Sequence, residues 1–281
     1  MIEFVANENQ QGQKLIQLVK KLLLNFSYNE IQKLFRNKKI KVNNSFVAKN
    51  YSVCLGDKIL VFANAKTKNL VEKITEFSLR LEVIYQDKNI LIVNKPANLP
   101  VHGDKFNLDL AVWNYLKIKQ YALFLPSHVG RLDKKTSGII LYGLNYQSVV
   151  ELNKKQRFFE KIYTFKSDIE LKKPLKTNFF VKKNNEKKKM EITESAIESS
   201  VISTTFYAKN KHKFAILHSG KKHQIRVSLA ALGFPIFGDK KYGGKKDDQL
   251  FLHSFSLKMQ ELEGFLQYLN GKKFVSKPKW W

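Results

Sequence analysis

The sequence predicts an α+β protein in two parts: a small αα-β unit over residues 1–63 and a β-rich domain with a few helices over 79–281. Three observations predict it. Two segments of helical period come first and short strand-like runs follow them. Residues 64–78, NAKTKNLVEKITEFS, lack strong periodicity and read as a linker. From Leu79 onward strand-like runs predominate, with helices only among them. No internal repeat is visible.

Residues 13–24, QKLIQLVKKLLL, repeat apolar side chains at helical spacing until Asn25-Phe26 interrupts them. A second helix opens at Ser27, where Ser27-x-x-Glu30 reads as a capping box with Ile31, Leu34 and Phe35 on the buried face. Lys33, Arg36, Lys38, Lys39 and Lys41 cluster there. Residues 40–42 and 45–47 are predicted strands around an Asn43-Asn44 turn, and 51–53 and 59–62 follow, joined through Gly56-Asp57. Beyond the linker, strands are predicted over 79–85 and 90–93, the second ended by Lys95-Pro96. Further strands are expected over 139–142, 162–169, 201–207, 213–217 and 250–257, with 213–217 paired to 201–207. Helices are expected over 108–118, 146–158 and 224–232, the last followed by Gly233 where a C-terminal cap belongs. The lysine-rich stretch 182–191, KKNNEKKKME, reads as a surface hairpin or a disordered loop.

Composition narrows the function. An apolar share of 43% in 281 residues supports a real core, which excludes a chain disordered throughout. No apolar run approaches the roughly 18 residues of a membrane span, and MIEFVANENQ lacks the order of a signal peptide. Cys54 stands alone, so neither an internal disulfide nor a CxxC zinc framework is expected, which fits a reducing cytoplasm. Lys plus Arg number 50 against 24 Asp plus Glu, a formal net charge of +26. Only Arg36, Arg80, Arg131, Arg157 and Arg226 are arginines. Coding bias accounts for Lys over Arg but not for the excess of bases over acids. The lysines are spread along the chain instead of gathered on one amphipathic helix, which favours nucleic acid over a membrane surface.

Metal and nucleotide cofactors have no signature. The six histidines form no HxxxH or HExxH, and GxxxxGK[ST], GxGxxG and GxSxG are all missing. Chemistry would fall to carboxylates, phenols and basic groups. Two segments stand out. In His128-Val-Gly-Arg131-Leu132-Asp133-Lys-Lys-Thr136-Ser137-Gly138, an Asp flanked by cations precedes an apolar strand, and neighbouring cations favour its carboxylate form. Locally, a turn Asp with an Asx-type bond accounts for it equally well. In His218-Ser-Gly220-Lys221-Lys222-His223-Gln224-Ile225-Arg226, a Gly and two lysines sit where a helix begins and free N–H groups receive a phosphate. Arg226, one turn in, reads either as a functional group or as half of a surface ion pair.

Taken together these segments resemble the RluA-type RNA pseudouridine synthases. The resemblance spans roughly residues 79–258, beginning at LEVIYQDKNILIVNKPANLPVHG and continuing through GRLDKKTSG, Glu160-Lys161-Ile162-Tyr163, HSGKKHQIRVSLAALGFPIFGDKKYG and Leu252-His253, in family order. Residues 13–62 separately resemble an S4-type RNA-binding domain. Gly130 stands where the family motif has His, Ser219 where it has Thr and Lys222 where it has Arg; Lys lacks the bidentate geometry of Arg. The resemblance implies a mixed, mostly antiparallel catalytic sheet with flanking helices. It also implies a cofactor-free isomerisation of uridine on RNA and leans toward the RluC-like branch; the S4-type domain favours large-subunit ribosomal RNA over transfer RNA as the target, a non-catalytic RNA-binding assembly factor is the other reading, and a monomer is expected. Asp133 would be the catalytic carboxylate, paired with Arg226. Tyr163 would lie against the uracil, although without the motif it reads as a core aromatic. Arg131 would fill the space of the flipped-out base. Lys221, Lys222 and His223 would line the phosphate path, and Lys95 would support the fold beside the site.

Overall fold

The computed structural model describes residues 1–23, 26–63, 79–104, 106–118 and 124–281; the segment read as a linker, 64–78, lies outside the described residues. The first part contains β1 (Ile2–Val5), α1 (Leu15–Leu22), α2 (Tyr28–Arg36), β2 (Ile40–Val42), β3 (Ser45–Phe46) and β4 (Lys58–Val61). Its sheet has the order β1-β4-β2-β3 and buries Ile40, Val42, Ile59 and Val61 against Leu15, Leu18, Val19 and Ile31 of the helices. The capping box forms as the sequence predicts: Ser27 Oγ accepts from Glu30 N at 3.3 Å and Glu30 Oε2 from Ser27 N at 2.6 Å. Two features differ from expectation. Strand β1 was not expected, and 51–53 makes only an isolated bridge, Lys14 to Ser52. The reason is Asp57, 4% exposed, which accepts from Tyr51 Oη, Cys54 N and Asn43 Nδ2 and so curls 51–57 into a loop.

The second part contains β5 (Glu82–Gln86), β6 (Ile90–Lys95), α3 (Leu108–Tyr115), β7 (Ser127–Val129), β8 (Ser137–Gly143), α4 (Tyr146–Lys155), β9 (Glu160–Phe165), β10 (Leu175–Asn184), β11 (Lys189–Thr193), β12 (Ser200–Lys209), β13 (His212–Leu217), α5 (Gln224–Ala231), β14 (Leu252–Lys258), a 3-10 turn (Gly264–Leu269) and β15 (Lys273–Val275). They build one sheet in the order β11-β10-β12-β13-β9-β14-β8-β6-β5, with β7 added to β8 and β15 to β14. Every pairing is antiparallel except β8 with β14, so the sheet is mixed and mostly antiparallel. Strand β13 pairs with β12 as expected. Strands β7 and β15 were not foreseen, being three residues each. The lysine-rich stretch is the tip of the β10–β11 hairpin; the hairpin's inner residues Val181 and Met190 pack against Ile202 of β12 and Val227 of α5.

The parallel pairing positions the site. Strands β8 and β14 touch only at Ser137–His253 and Gly138–Ser254, then diverge, β8 toward β7 and β14 toward β15. Val129, Ile139, Leu141, Phe159, Leu257 and Met259 pack in the region of the fork. Only glycine permits the contact: Gly138 has φ +112°, and a Cβ there would stand 2.4 Å from the Ser254 carbonyl oxygen. His253, 1% exposed, locks the junction. Its Nε2 donates to the Ser276 carbonyl at 3.1 Å, which leaves Nδ1 to accept from Ser137 Oγ at 2.8 Å.

Candidate active site

The loop between β7 and β8 carries Asp133 to the mouth of the fork, closed by the Thr136 N–H donating to the Asp133 carbonyl at 3.0 Å. From the opposite side α5 presents Arg226. Its Nη1 donates to Asp133 Oδ2 at 2.8 Å, while Nε and Nη2 donate to Asp239 Oδ2 and Oδ1 at 2.7 and 2.8 Å. Arg226 is 6% exposed and Asp239 1%, so the surface ion pair is excluded and a buried two-carboxylate clamp takes its place. Burial opposes the guanidinium's charge, but the hydrogen bonds and charges of Asp239 and then Asp133 outweigh it and raise its pKa. The sequence reading missed Asp239, although it lies in the quoted segment GFPIFGDKKYG; an acid thirteen residues from Arg226 gives no local signal that it turns back.

His223 caps α5 in a left-handed conformation, φ +55°. Its Nε2 stands 3.5 Å from Asp133 Oδ2 and its Nδ1 2.9 Å from the Tyr242 hydroxyl. Burial pushes it down to about 4, against the pull of Asp133, with Arg226, Lys222 and Lys241 adding to the depression. Its charged form is therefore disfavoured where it lines the cleft beside the carboxylate. Tyr242 lies with its ring centroid 5.2 Å from Arg226 Cζ, and its hydroxyl bonds the backbone N and O of Met190 on β11 at 2.9 and 3.1 Å. The lysine-rich hairpin thus braces the clamp from behind, a role its composition did not disclose.

Tyr163 lies on β9 opposite Ser254. Burial pushes its phenol up to about 12, a hydrogen bond with Ser254 works the other way, and Asp133 adds to the rise, so it keeps its proton at neutral pH. Lys95, fully buried at the end of β6, donates to the carbonyls of Pro96, Leu99 and Lys134 at 2.9, 2.7 and 3.1 Å and ties two loops together beside Asp133. Burial pushes it down to about 7 while Asp133 pulls back.

Asp133, Tyr163, His223 and Arg226 line one cleft of about 580 Å³, with Arg131, Lys221 and Lys222 exposed on its walls. Gln224 Oε1 accepts from the Lys221 N–H at 3.1 Å and from Ser219 Oγ at 2.8 Å. That backbone donor and that hydroxyl are therefore engaged within the loop. Lys33, Arg36, Lys38 and Lys39 are exposed on the four-stranded unit, and Lys41 is half-buried 5.0 Å from the Phe46 ring centroid; none of them lines the cleft. Among the described residues no group of three His, Cys, Asp or Glu is gathered for a metal, and no helix is long and apolar enough to cross a membrane. The arrangement presents a fixed carboxylate, part open to solvent, near a protonated phenol. Such a carboxylate suits attack on an electrophilic carbon or removal of a proton from it.

Comparison with known proteins agrees. The profile of the RNA pseudouridylate synthase family matches residues 89–231, a span that holds Asp133, Tyr163 and Arg226. An uncharacterized RNA pseudouridine synthase of Mycoplasma capricolum is 34% identical over 100% of this chain and 99% of its own. A ribosomal large subunit pseudouridine synthase C of Rickettsia bellii is 35% identical over 80% of this chain and 82% of its own. The structure of human RNA pseudouridylate synthase domain containing 1 shares the fold, with a TM-score of 0.58 at 19% identity over 71% of this chain and 84% of that one. A family match over half the chain and a relative alike from end to end establish that this protein belongs to the RluA-type RNA pseudouridine synthases, which are isomerases.

Proposed function

We propose that this enzyme converts uridines of large-subunit ribosomal RNA to pseudouridine, with Asp133 as its catalytic carboxylate. The observation that carries the reading is the clamp: one buried guanidinium holds Asp133 at 2.8 Å and is itself held by Asp239. The clamp fixes the carboxylate's rotamer through a charge-assisted hydrogen bond and so aims it for attack on C1′ or removal of a sugar proton. Tyr163 lies against the uracil and serves the final proton transfer from C5. Arg131, exposed on the cleft wall, fills the gap left by the flipped-out nucleotide, while Lys221 and Lys222 attract its phosphates. Residues 1–63 act as an S4-like RNA-binding domain, joined through 64–78 to the catalytic domain 79–281, and hold structured RNA through Lys33, Arg36, Lys38, Lys39 and Lys41. The name of the Rickettsia relative and the +26 charge support a ribosomal target. The enzyme works as a cytoplasmic monomer.

Asp133→Asn is the test of the site. RNA binding survives in this variant and pseudouridine formation is lost; normal turnover would sink the mechanism. Mapping pseudouridines in total RNA with and without the gene tests the target. Sites lost from large-subunit ribosomal RNA support the reading, and sites lost from transfer RNA alone overturn it.

A further inference from the structure

Beside the cleft lies a smaller chamber of about 140 Å³. It shares Gly130, Arg131, Tyr163 and Lys221 with the cleft and so opens onto it. It occupies the fork where β8 and β14 part, and its walls include Ile139, Leu141, Phe159 and Leu257. An apolar cavity of about 150 Å³ takes a benzene ring, so a six-membered base fits by size.

Two polar groups at this chamber are otherwise unexplained. Ser256 is 1% exposed, and its hydroxyl has no hydrogen-bond partner. Lys161 stands two residues before Tyr163 on β9, on the same face of the strand. Its ammonium has one acceptor, the Gln156 carbonyl at 2.9 Å, and no carboxylate within ion-pair reach among the described residues. Burial lowers its pKa and no neighbouring acid opposes the shift. An unpaired ammonium in such a place is costly to maintain. The clamp cannot supply positive charge in its stead, because Arg226 already serves two carboxylates.

We propose that this chamber receives the detached uracil, with Lys161 balancing the negative charge of the base and Ser256 hydrogen-bonding it. The inference rests on the Asp133 reading of the reaction. The N1–C1′ bond breaks with its electron pair left on N1, so the base separates as an anion whose charge spreads over its carbonyl oxygens. Meanwhile C1′ is bonded to the Asp133 carboxylate, or the sugar has lent its C2′ proton to that carboxylate, which later returns it. The base turns and ring electrons form the C5–C1′ bond, the Asp133 oxygen leaving C1′ with its electron pair where it had bonded there; C5 then loses its proton and N1 gains one. Composition is unchanged. Lys161 donates to a carbonyl oxygen of the base while its charge is greatest, which makes it a further catalytic residue.

The experiment compares wild type, Lys161→Met, Lys161→Arg and Ser256→Ala under single-turnover conditions, on RNA carrying uridine or 5-fluorouridine. Fluorine at C5 withdraws electrons and stabilises the base anion by itself. Lys161→Met should slow N1–C1′ cleavage of uridine by about 10²–10³-fold, the range for loss of one preorganised donor, with RNA affinity unchanged. Lys161→Arg should recover most of the rate, and 5-fluorouridine should shrink the deficit of Lys161→Met. A wild-type rate for Lys161→Met, or an equal loss on both substrates, overturns the inference. Should Lys161→Met fail to fold, Ser256→Ala decides: a slower rate on uridine than on 5-fluorouridine, each relative to wild type, supports the chamber, and no loss overturns it. An active Asp133→Asn would remove the underlying reading as well, whereas an inactive Asp133→Asn beside an unimpaired Lys161→Met removes only this inference.

Discussion

Asp133 and Asp239 share one guanidinium, yet their loss should differ sharply in its cost to stability. Asp239 is 1% exposed and takes two of the three N–H bonds, at 2.7 and 2.8 Å, in a fork-on-fork pair with Arg226, itself 6% exposed. Removing one partner of a buried pair leaves an uncompensated charge and costs about 3–5 kcal/mol. Asp239→Asn keeps the shape but not the charge. At about 2–4 °C per kcal/mol for a chain approaching this size, its Tm should fall by about 6–20 °C. The side chain of Asp133 is 25% exposed and accepts one bond from Arg226 at 2.8 Å. Asp133→Asn leaves the Arg226–Asp239 pair intact and removes a surplus negative charge, so its cost should stay near the 0–1 kcal/mol of exposed pairs. Thermal melts followed by circular dichroism, with pseudouridine formation measured on the same samples, check this. Both variants should be inactive, but only Asp239→Asn should be markedly destabilised. Equal melting points for the two, or an Asp239→Asn protein as stable as wild type, would refute the division of labour within the clamp.

Further outcomes follow from other contacts. Burial pushes His253 from its ordinary 6.5 down to about 4. The unfolded chain therefore binds the extra proton first, so the stabilisation is present above pH 6.5 and lost as pH falls toward 4. By pH 5 this amounts to about 2 kcal/mol, read from urea melts against pH, and His253→Asn should flatten that acid limb; His223, also pushed down to about 4, adds slope of the same sign. Gly138→Ala should destabilise by about 2–3 kcal/mol and abolish activity, because the new Cβ would stand 2.4 Å from the Ser254 carbonyl oxygen; a wild-type melting curve would show that the junction tolerates a side chain. A Lys33→Ala, Arg36→Ala double variant should lower the slope of log affinity against log salt by roughly 0.7–0.9 per cation without changing the single-turnover rate, and an unchanged slope would remove those residues from the RNA surface.

What the sequence disclosed was mostly what it encodes locally. Ser27 and Glu30 lie three residues apart and state their capping box outright. The apolar runs of β6 and β8 are buried nearly throughout, and their strands were read close to their observed bounds. Strand β10 was missed because its buried positions are few and lysines crowd its far end, so it resembles surface. The clamp was half legible. Asp133 and Arg226 came from ordered motifs, but Asp239 is recognised only by where the chain folds back. For His223 the sequence showed a basic neighbourhood, and only burial reveals that its charged form is disfavoured.

The two-residue junction of β8 and β14 also sets a schedule for the enzyme's birth. Ser137 and His253, which bond across it, are 116 residues apart, and Asp133 and Arg226 are 93 apart. Contacts so distant in sequence pay their loop-closure entropy late and slow folding. A chain leaving the ribosome can present Asp133 long before the strand that seats it has been made. The active site is therefore among the last parts of the molecule to exist, and truncated products that stop before Leu252 should bind RNA through their basic surfaces yet modify nothing.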